Sequence, residues 1–201
     1  MCAHTYLNII SHTSVFVNTF FENIFVFYKT HRNTFHLTFA PNYDRMNIEK
    51  YGIKGGRMTY QRLIDVNDTD ILQLCRVMDL ANVSRFISYD KEKYWQYVTS
   101  TNSVFYYKVY QRNSLVGAVH LEINDKILYM SILVFPEYQN QKIGTSIIKD
   151  IQDKKLPIDF ERIEVSIDEA NVASIRLFEK MNFKLFAKEK ELFTYVYQMP
   201  A

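Results

Sequence analysis

The stretch from Ile127 to Ile151 constrains the fold more than any other part of this 201-residue chain. Ile127 to Phe135 is almost continuously apolar, the composition of a central strand buried on both faces. It stops at Pro136, which cannot donate to a sheet ladder. The polar run Tyr138-Gln139-Asn140-Gln141-Lys142 follows, and Ile143, Ile147, Ile148 and Ile151 then recur at helical spacing. A buried strand therefore runs into a short polar loop that opens directly onto a helix. Such a loop aims several backbone N–H groups at one point, beside the positive end of the helix dipole, which suits a pyrophosphate. Gly144 permits close approach of a ligand, and Thr145 or Ser146 adds a hydroxyl donor. An ordinary strand–loop–helix connection has the same pattern, so the anion site needs a second signal.

The flanking sequence supplies the frame. Tyr60 to Val66 reads as a short strand ending at Asn67-Asp68, either of which suits a helix N-cap. Ile71, Leu72, Cys75, Val77 and Met78 then mark a helix, and Tyr89 to Val98, capped by Asp90, a second one. Val104 to Gln111 and Leu115 to Ile123 are strands, separated by turns at Arg112-Asn113-Ser114 and Asn124-Asp125. Beyond Ile151, Ile163, Val165 and Ile167 alternate as a strand, and a helix runs from about Val172 to Met181. Strand-like segments follow at Phe183 to Phe186 and Leu192 to Tyr197. The order β-α-α-β-β-β-α-β-α-β(-β) gives a mixed α+β layered fold.

Two segments resemble the GNAT N-acetyltransferase superfamily. Gln139-Asn140-Gln141-Lys142-Ile143-Gly144 is similar to its acetyl-CoA motif Q/R-x-x-G-x-G/A, with Lys142 where the middle glycine is expected. Glycine would take φ > 0 there, whereas lysine restricts it; its ammonium instead offers charge to a phosphate. Asn171 to Phe183 resembles the family's C-terminal motif N-x-x-A/S-x-x-L-Y-E-K-x-G-F. There Asn182 replaces the glycine after the helix, and asparagine also adopts the left-handed C-cap conformation.

The resemblance implies a three-layer α+β fold, a central mixed and mostly antiparallel sheet with helices on both faces, over residues 58–201. It implies acetyl-CoA as cosubstrate, held by Leu133, Val134, Gln139, Asn140, Gln141, Lys142, Ile143, Gly144, Thr145 and Asn171. The strands Ile127–Phe135 and Ile163–Ile167 would splay to admit the pantetheine arm. The acceptor would be a primary amine of a small molecule or a protein N-terminus, attacking directly. Where relatives carry a base Glu and an acid Tyr, this chain has Ser166 and Phe178, which can do neither job. Glu164, on the same strand face as Ser166, is the candidate base acting through water. Glu122 is a weaker one, and Tyr129 and Tyr138 are acids without specific support. Those departures keep open a non-catalytic acyl-CoA-binding or sensor module on the same fold. A homodimer through edge strands is compatible with the family.

Other signals are read plainly. Trp95, Tyr94 and Tyr97 read as packing, with an aromatic acceptor wall as the sharper option, and His120 as a satisfied sheet histidine. The five histidines do not cluster and the two cysteines fit no ligand spacing, so no metal is expected. With a formal net charge of +2 and no basic stripe, a nucleic-acid partner is not expected. The apolar stretch Ser14–Tyr28 is interrupted by Asn18, Glu22 and Asn23 and falls short of the roughly 20 residues that span a bilayer. No membrane partner is therefore expected, and the two distant cysteines make a reduced cytoplasmic setting the simplest reading. Residues 1–57 resemble translated AT-rich DNA, and Lys54-Gly55-Gly56-Arg57 can encode a bacterial ribosome-binding site. The expectation is a functional protein that begins at Met58. If residues 1–57 are genuine, the aromatic segment would make an interaction surface.

Overall fold

The computed structural model describes residues 58–200 other than Ser88; the expectations about residues 1–57 lie outside the described residues. Two tight hairpins set the register of the sheet. Arg112 and Asn113 have φ of 49° and 68°, and Asp125 and Lys126 have 47° and 65°. Paired left-handed residues twist a two-residue turn to match the strands it joins. The first turn links β2 (Val104–Gln111) to β3 (Ser114–Asn124), and the second links β3 to β4 (Ile127–Val134).

Seven strands form one sheet in the order β1-β2-β3-β4-β5-β7-β6, with β1 at Met58–Arg62, β5 at Arg162–Asp168, β6 at Lys184–Glu189 and β7 at Leu192–Gln198. Among the described residues, only β4 and β5 run parallel; every other pair is antiparallel. The helices are α1 (Asp70–Met78), α2 (Ala81–Ser84), α3 (Tyr94–Ser100), α4 (Ile143–Gln152) and α5 (Val172–Lys180).

Strand alternation splits the core in two. Val119, Leu121, Leu128, Met130, Ile163 and Val165 pack with Ile147, Ile148 and Ile151 of α4 and Phe178 of α5. Val104, Tyr106, Ala118 and Leu133 pack on the other face, with Ile71 and Leu74 of α1 and Trp95 and Val98 of α3. The three layers expected from the sequence are present. Asp68 Oδ1 accepts from the Asp70 N–H at 3.0 Å and Asp90 Oδ1 from Glu92 and Lys93, so both turn the chain just ahead of a helix; the cap positions themselves are Thr69 and Lys93, whose side chains make no capping bond.

Several boundaries differ from the sequence reading. The first strand ends at Arg62 because Asp65 turns the chain, accepting from the Asn67 N–H at 2.9 Å, and Ile64 stands 74% exposed. The helix expected from Tyr89 begins at Tyr94, and α2 was not expected. β4 is deeply buried only in part: Leu128 and Met130 are covered, while Tyr129, Ser131 and Ile132 are half-exposed. Lys108, in mid-strand, is 2% exposed and bonds Asp68 and Asp70 at 2.6 and 2.7 Å, anchoring the start of α1 to β2. Burial alone would lower its pKa, but those bonds outweigh it and raise it. Among the described residues, no helix is long and apolar enough to cross a membrane.

Candidate active site

β4 and β5 pair only at Ile127–Arg162, Leu128–Ile163 and Tyr129–Glu164. Beyond that point β3 holds β4 as far as Val134, and β7 holds β5 as far as Asp168. The two parallel strands are thus pulled apart into a fork. The Phe135 N–H donates to the Val116 carbonyl at 3.0 Å, so odd-numbered residues of β4 face β3. The peptide groups of Ile132 and Val134 therefore face the gap, whereas those of Leu133 are turned toward β3. Leu133 still lines the gap.

At the open end of the fork lies the polar loop. Pro136 to Tyr138 make one 3-10 turn. Gln139 Nε2 donates back to the Val134 carbonyl at 3.3 Å, and Gln141 Nε2 to the Glu137 carbonyl at 3.0 Å. Asn140 and Lys142 take φ of 61° and 65°. The expectation that lysine would keep the loop out of the left-handed region is therefore corrected. The loop follows the path a glycine would take, at a conformational cost of about 1–2 kcal/mol. In α4 the Ser146 N–H is the first to bond back, to the Lys142 carbonyl at 2.9 Å. The N–H groups of Ile143, Gly144 and Thr145 are left pointing out of the helix start. Gly144 also has a packing role, because a Cβ there would lie 2.9 Å from Leu177 Cδ2.

Across the fork, the Asn171 side chain accepts from the Ser174 N–H at 3.2 Å and starts α5, as the motif implied. The helix ends as expected too. Asn182 has φ 66°, its N–H bonds the Glu179 carbonyl, and the Phe183 N–H bonds the Phe178 carbonyl at 3.1 Å. That is a Schellman closure, with the rings of Phe178 and Phe183 in contact at 5.0 Å.

A cleft of about 950 Å³ runs from the fork to the start of α4. Leu133, Val134, Gln139, Asn140, Lys142, Ile143, Gly144, Thr145 and Asn171 all line it; Gln141 and Glu164 do not. Ser131, Arg176 and Lys180 also line it and were not singled out in the sequence. Arg176 and Lys180 sit four apart in the α5 motif, a spacing that puts two cations on one helix face. An extended gap faced by the peptide N–H groups of Ile132 and Val134, leading to three free N–H groups and a lysine, fits a pantetheine thioester that carries a diphosphate.

On the sheet face covered by α3, strand register places three titratable side chains in one row: Glu122 opposite Tyr129, and Tyr129 opposite Glu164. Both carboxylates are buried, at 5% and 8% exposure. Tyr97 Oη donates to Glu122 Oε2 at 2.9 Å, and Arg162 Nη2 lies 2.5 Å from Glu164 Oε1. Burial raises the Glu122 carboxyl above its usual range, against the opposing bond from Tyr97. Burial, reinforced by the Glu164 charge, pushes the Tyr129 phenol up to about 12. His120 shares its Nδ1 with Tyr94 Oη at 2.8 Å, and burial lowers its pKa to about 4, so it is neutral near pH 7. Tyr94 and Trp95 are core residues at 3% and 6% exposure. Among the described residues, no group of three or more His, Cys, Asp or Glu side chains is arranged to hold a metal ion.

Residues 74–183, more than half of the chain, match the family model described as the acetyltransferase (GNAT) family. No curated protein matches by sequence. Solved structures match by fold. The Campylobacter jejuni N-acetyltransferase PseH, also solved with acetyl coenzyme A, is 12% identical with a TM-score of 0.58, over 71% of this chain and 99% of its own. The ribosomal-protein-S18-alanine N-acetyltransferase of Escherichia coli is 13% identical, with a TM-score of 0.57 over 72% and 96%. The spermidine N-acetyltransferase of Vibrio cholerae, solved with CoA and spermine, is 17% identical, with a TM-score of 0.59 over 72% and 97%.

Proposed function

Because the chain belongs to the GNAT acetyltransferase family, we propose that it moves an acetyl group from acetyl-CoA to a primary amine of a small molecule or a protein N-terminus. The observation that carries this reading is the β4–β5 fork, opening toward the free N–H groups of α4. In the reaction the amine nitrogen attacks the thioester carbonyl; an amide bond forms and the C–S bond breaks. One proton leaves the nitrogen and one goes to the sulfur. Peptide N–H groups of Ile132 and Val134 are the donors available to an oxygen gaining negative charge in the gap.

The proton acceptor belongs to the row on the opposite face. Glu164, the candidate from sequence, is charge-paired with Arg162, whereas Glu122 is held by a neutral phenol and has a raised pKa. A carboxylate with a raised pKa is the better-matched base near neutral pH. Glu122 takes the proton through water, while Glu164 is held by Arg162. The setting of the reaction is the cytoplasm, where acetyl-CoA is available.

A second reading, an acyl-CoA-binding module without turnover, is favoured by one observation. Phe178, at the position of the family's acid tyrosine, is 6% exposed and packed on Phe183, so no proton donor stands there. The test is release of free thiol from acetyl-CoA in the presence of spermidine, an alanine-starting peptide and an amino sugar. Amine-dependent thiol release supports the enzyme. Saturable acetyl-CoA binding with no release by any amine supports the module.

A further inference from the structure

The helix α3 meets β3 through two phenol bonds in adjacent rows of the sheet. Tyr94 Oη bonds His120 Nδ1 at 2.8 Å, and Tyr97 Oη donates to Glu122 Oε2 at 2.9 Å. The match comes from the two backbone periods. Residues three apart share a helix face, and residues two apart share a strand face. One turn of α3 therefore spans one repeat of β3, and each phenol reaches its own partner. The rings of Tyr94 and Tyr97 stand 5.8 and 6.4 Å from the His120 ring, so both phenols pack around the same imidazole.

Glu122 faces little else that could steady its charge. The neighbour on the same face of its own strand is His120, which burial keeps neutral near pH 7. Across β2 it faces Val104, and across β4 the phenol of Tyr129. Beyond Tyr129, Glu164 is taken up by Arg162. Among the described residues, no ion pair reaches Glu122. Burial raises its carboxyl, and the bond from Tyr97 opposes that rise.

Resting on the acetyl-transfer reading above, we propose that Tyr97 is the positioning residue for the proton acceptor: its hydroxyl fixes the Glu122 carboxylate through Oε2 and leaves Oε1 to take the proton. A proton leaves the attacking nitrogen for a water, a proton of that water passes to Oε1, and Tyr97 keeps its own. A phenol with an ordinary pKa of about 10 stays protonated near neutral pH. It donates to the carboxylate before the transfer and to the neutral acid after it. A hydrogen bond to the charged form holds a carboxyl pKa down. Tyr97 thus keeps a buried acid ionised, and only the ionised form is a base.

The experiment is an NMR titration of the Glu122 carboxyl in the isotope-labelled full chain, its signal assigned by its absence from Glu122→Gln. Beside it runs the pH profile of kcat/KM, which reports the free enzyme, with whichever of spermidine, the alanine-starting peptide or the amino sugar is acetylated. The proteins are the wild type, Tyr97→Phe, Tyr94→Phe and a chain carrying a ring-fluorinated tyrosine in place of Tyr97. Tyr97→Phe raises the Glu122 midpoint by about 1–2 pH units, the scale of one hydrogen bond to a charged group. The acid limb of kcat/KM moves up with it. Ring fluorination makes the phenol a stronger donor and moves both down. Tyr94→Phe removes a hydroxyl from the same helix and leaves both in place, which separates the bond from general loosening of α3. A Glu122 midpoint unmoved in Tyr97→Phe, or moved equally in Tyr94→Phe, overturns the positioning role while leaving acetyl transfer intact. A midpoint that moves while the acid limb stays put overturns Glu122 as the acceptor, and the role of Tyr97 with it. A wild type that acetylates none of the three amines overturns the reading on which this inference rests.

Discussion

Replacing Gly117 with alanine should cost more stability than its small volume suggests. Gly117 sits in β3 opposite Val134, just where β4 leaves the sheet for the loop. A Cβ there would lie well under 3.0 Å from the Leu133 carbonyl oxygen, and 3.2 Å from both the Leu133 carbonyl carbon and Val134 Cα. All three are backbone atoms, so no rotamer relieves the clash. The strands must separate beside the Phe135 N–H to Val116 carbonyl bond, now 3.0 Å long. Losing one or two such bonds costs about 1 kcal/mol each, and overpacking adds about 1–3 kcal/mol. The sum is roughly 2–5 kcal/mol, a fall in Tm of about 4–20 °C for a domain of this size. Gly144→Ala is the control. Its Cβ would meet the end of the flexible Leu177 side chain at 2.9 Å, while alanine in a helix gains up to about 1 kcal/mol over glycine. Gly144→Ala should therefore stay within about 1 kcal/mol of wild type. Urea unfolding of the three proteins decides: a loss below about 1 kcal/mol in Gly117→Ala, or equal losses in both, refutes reasoning from the kind of atom the Cβ meets.

Lys142→Gly should raise stability by about 0.5–1 kcal/mol, because release of left-handed strain exceeds the added freedom of the unfolded chain; a lower Tm contradicts the strained loop. His120 should give an acid-side loss of stability. Its folded pKa of about 4 lies below its ordinary 6.5, so its contribution is complete above pH 6.5 and is lost as pH falls toward 4. That gap corresponds to about 3 kcal/mol. His120→Gln should then lose less stability than wild type between pH 7.5 and 4.5, and equal losses by urea titration would count against a neutral buried imidazole. Once an accepting amine is found, Glu122→Gln should lower kcat by about 100-fold with KM little changed. A larger effect from Glu164→Gln than from Glu122→Gln would reverse the two roles.

Much of the scaffold was legible because local signals agree with tertiary ones. The β2–β3 and β3–β4 hairpins are marked by polar residues that tolerate φ > 0, Asn171 caps α5, and Asp68 and Asp90 turn the chain just before α1 and α3. The Schellman closure at Asn182 was visible too, since its residue types suit only a few backbone states. The Glu122–Tyr129–Glu164 row was not legible. It exists only through the register of three strands, two of them joined across the α4 crossover. Ile64 and Val66 read as strand because they are apolar, but the Asp65 turn carries them into solvent. The burial of Lys108 has no local signal, because its two acidic partners lie some forty residues away and are brought near only by α1 folding onto β2. The path of the Lys142 loop was misjudged from intrinsic preference, which the anchoring of Gln139 to Val134 and of α4 to the sheet overrides.

The most direct test of the account is thermal unfolding of the protein against a titration of acetyl-CoA, with ATP as the phosphate control. A ligand at about a hundred times its dissociation constant adds roughly 2.7 kcal/mol of stability. The account predicts a saturable rise in Tm with acetyl-CoA and little change with ATP. No rise with acetyl-CoA, or an equal rise with ATP, would contradict it.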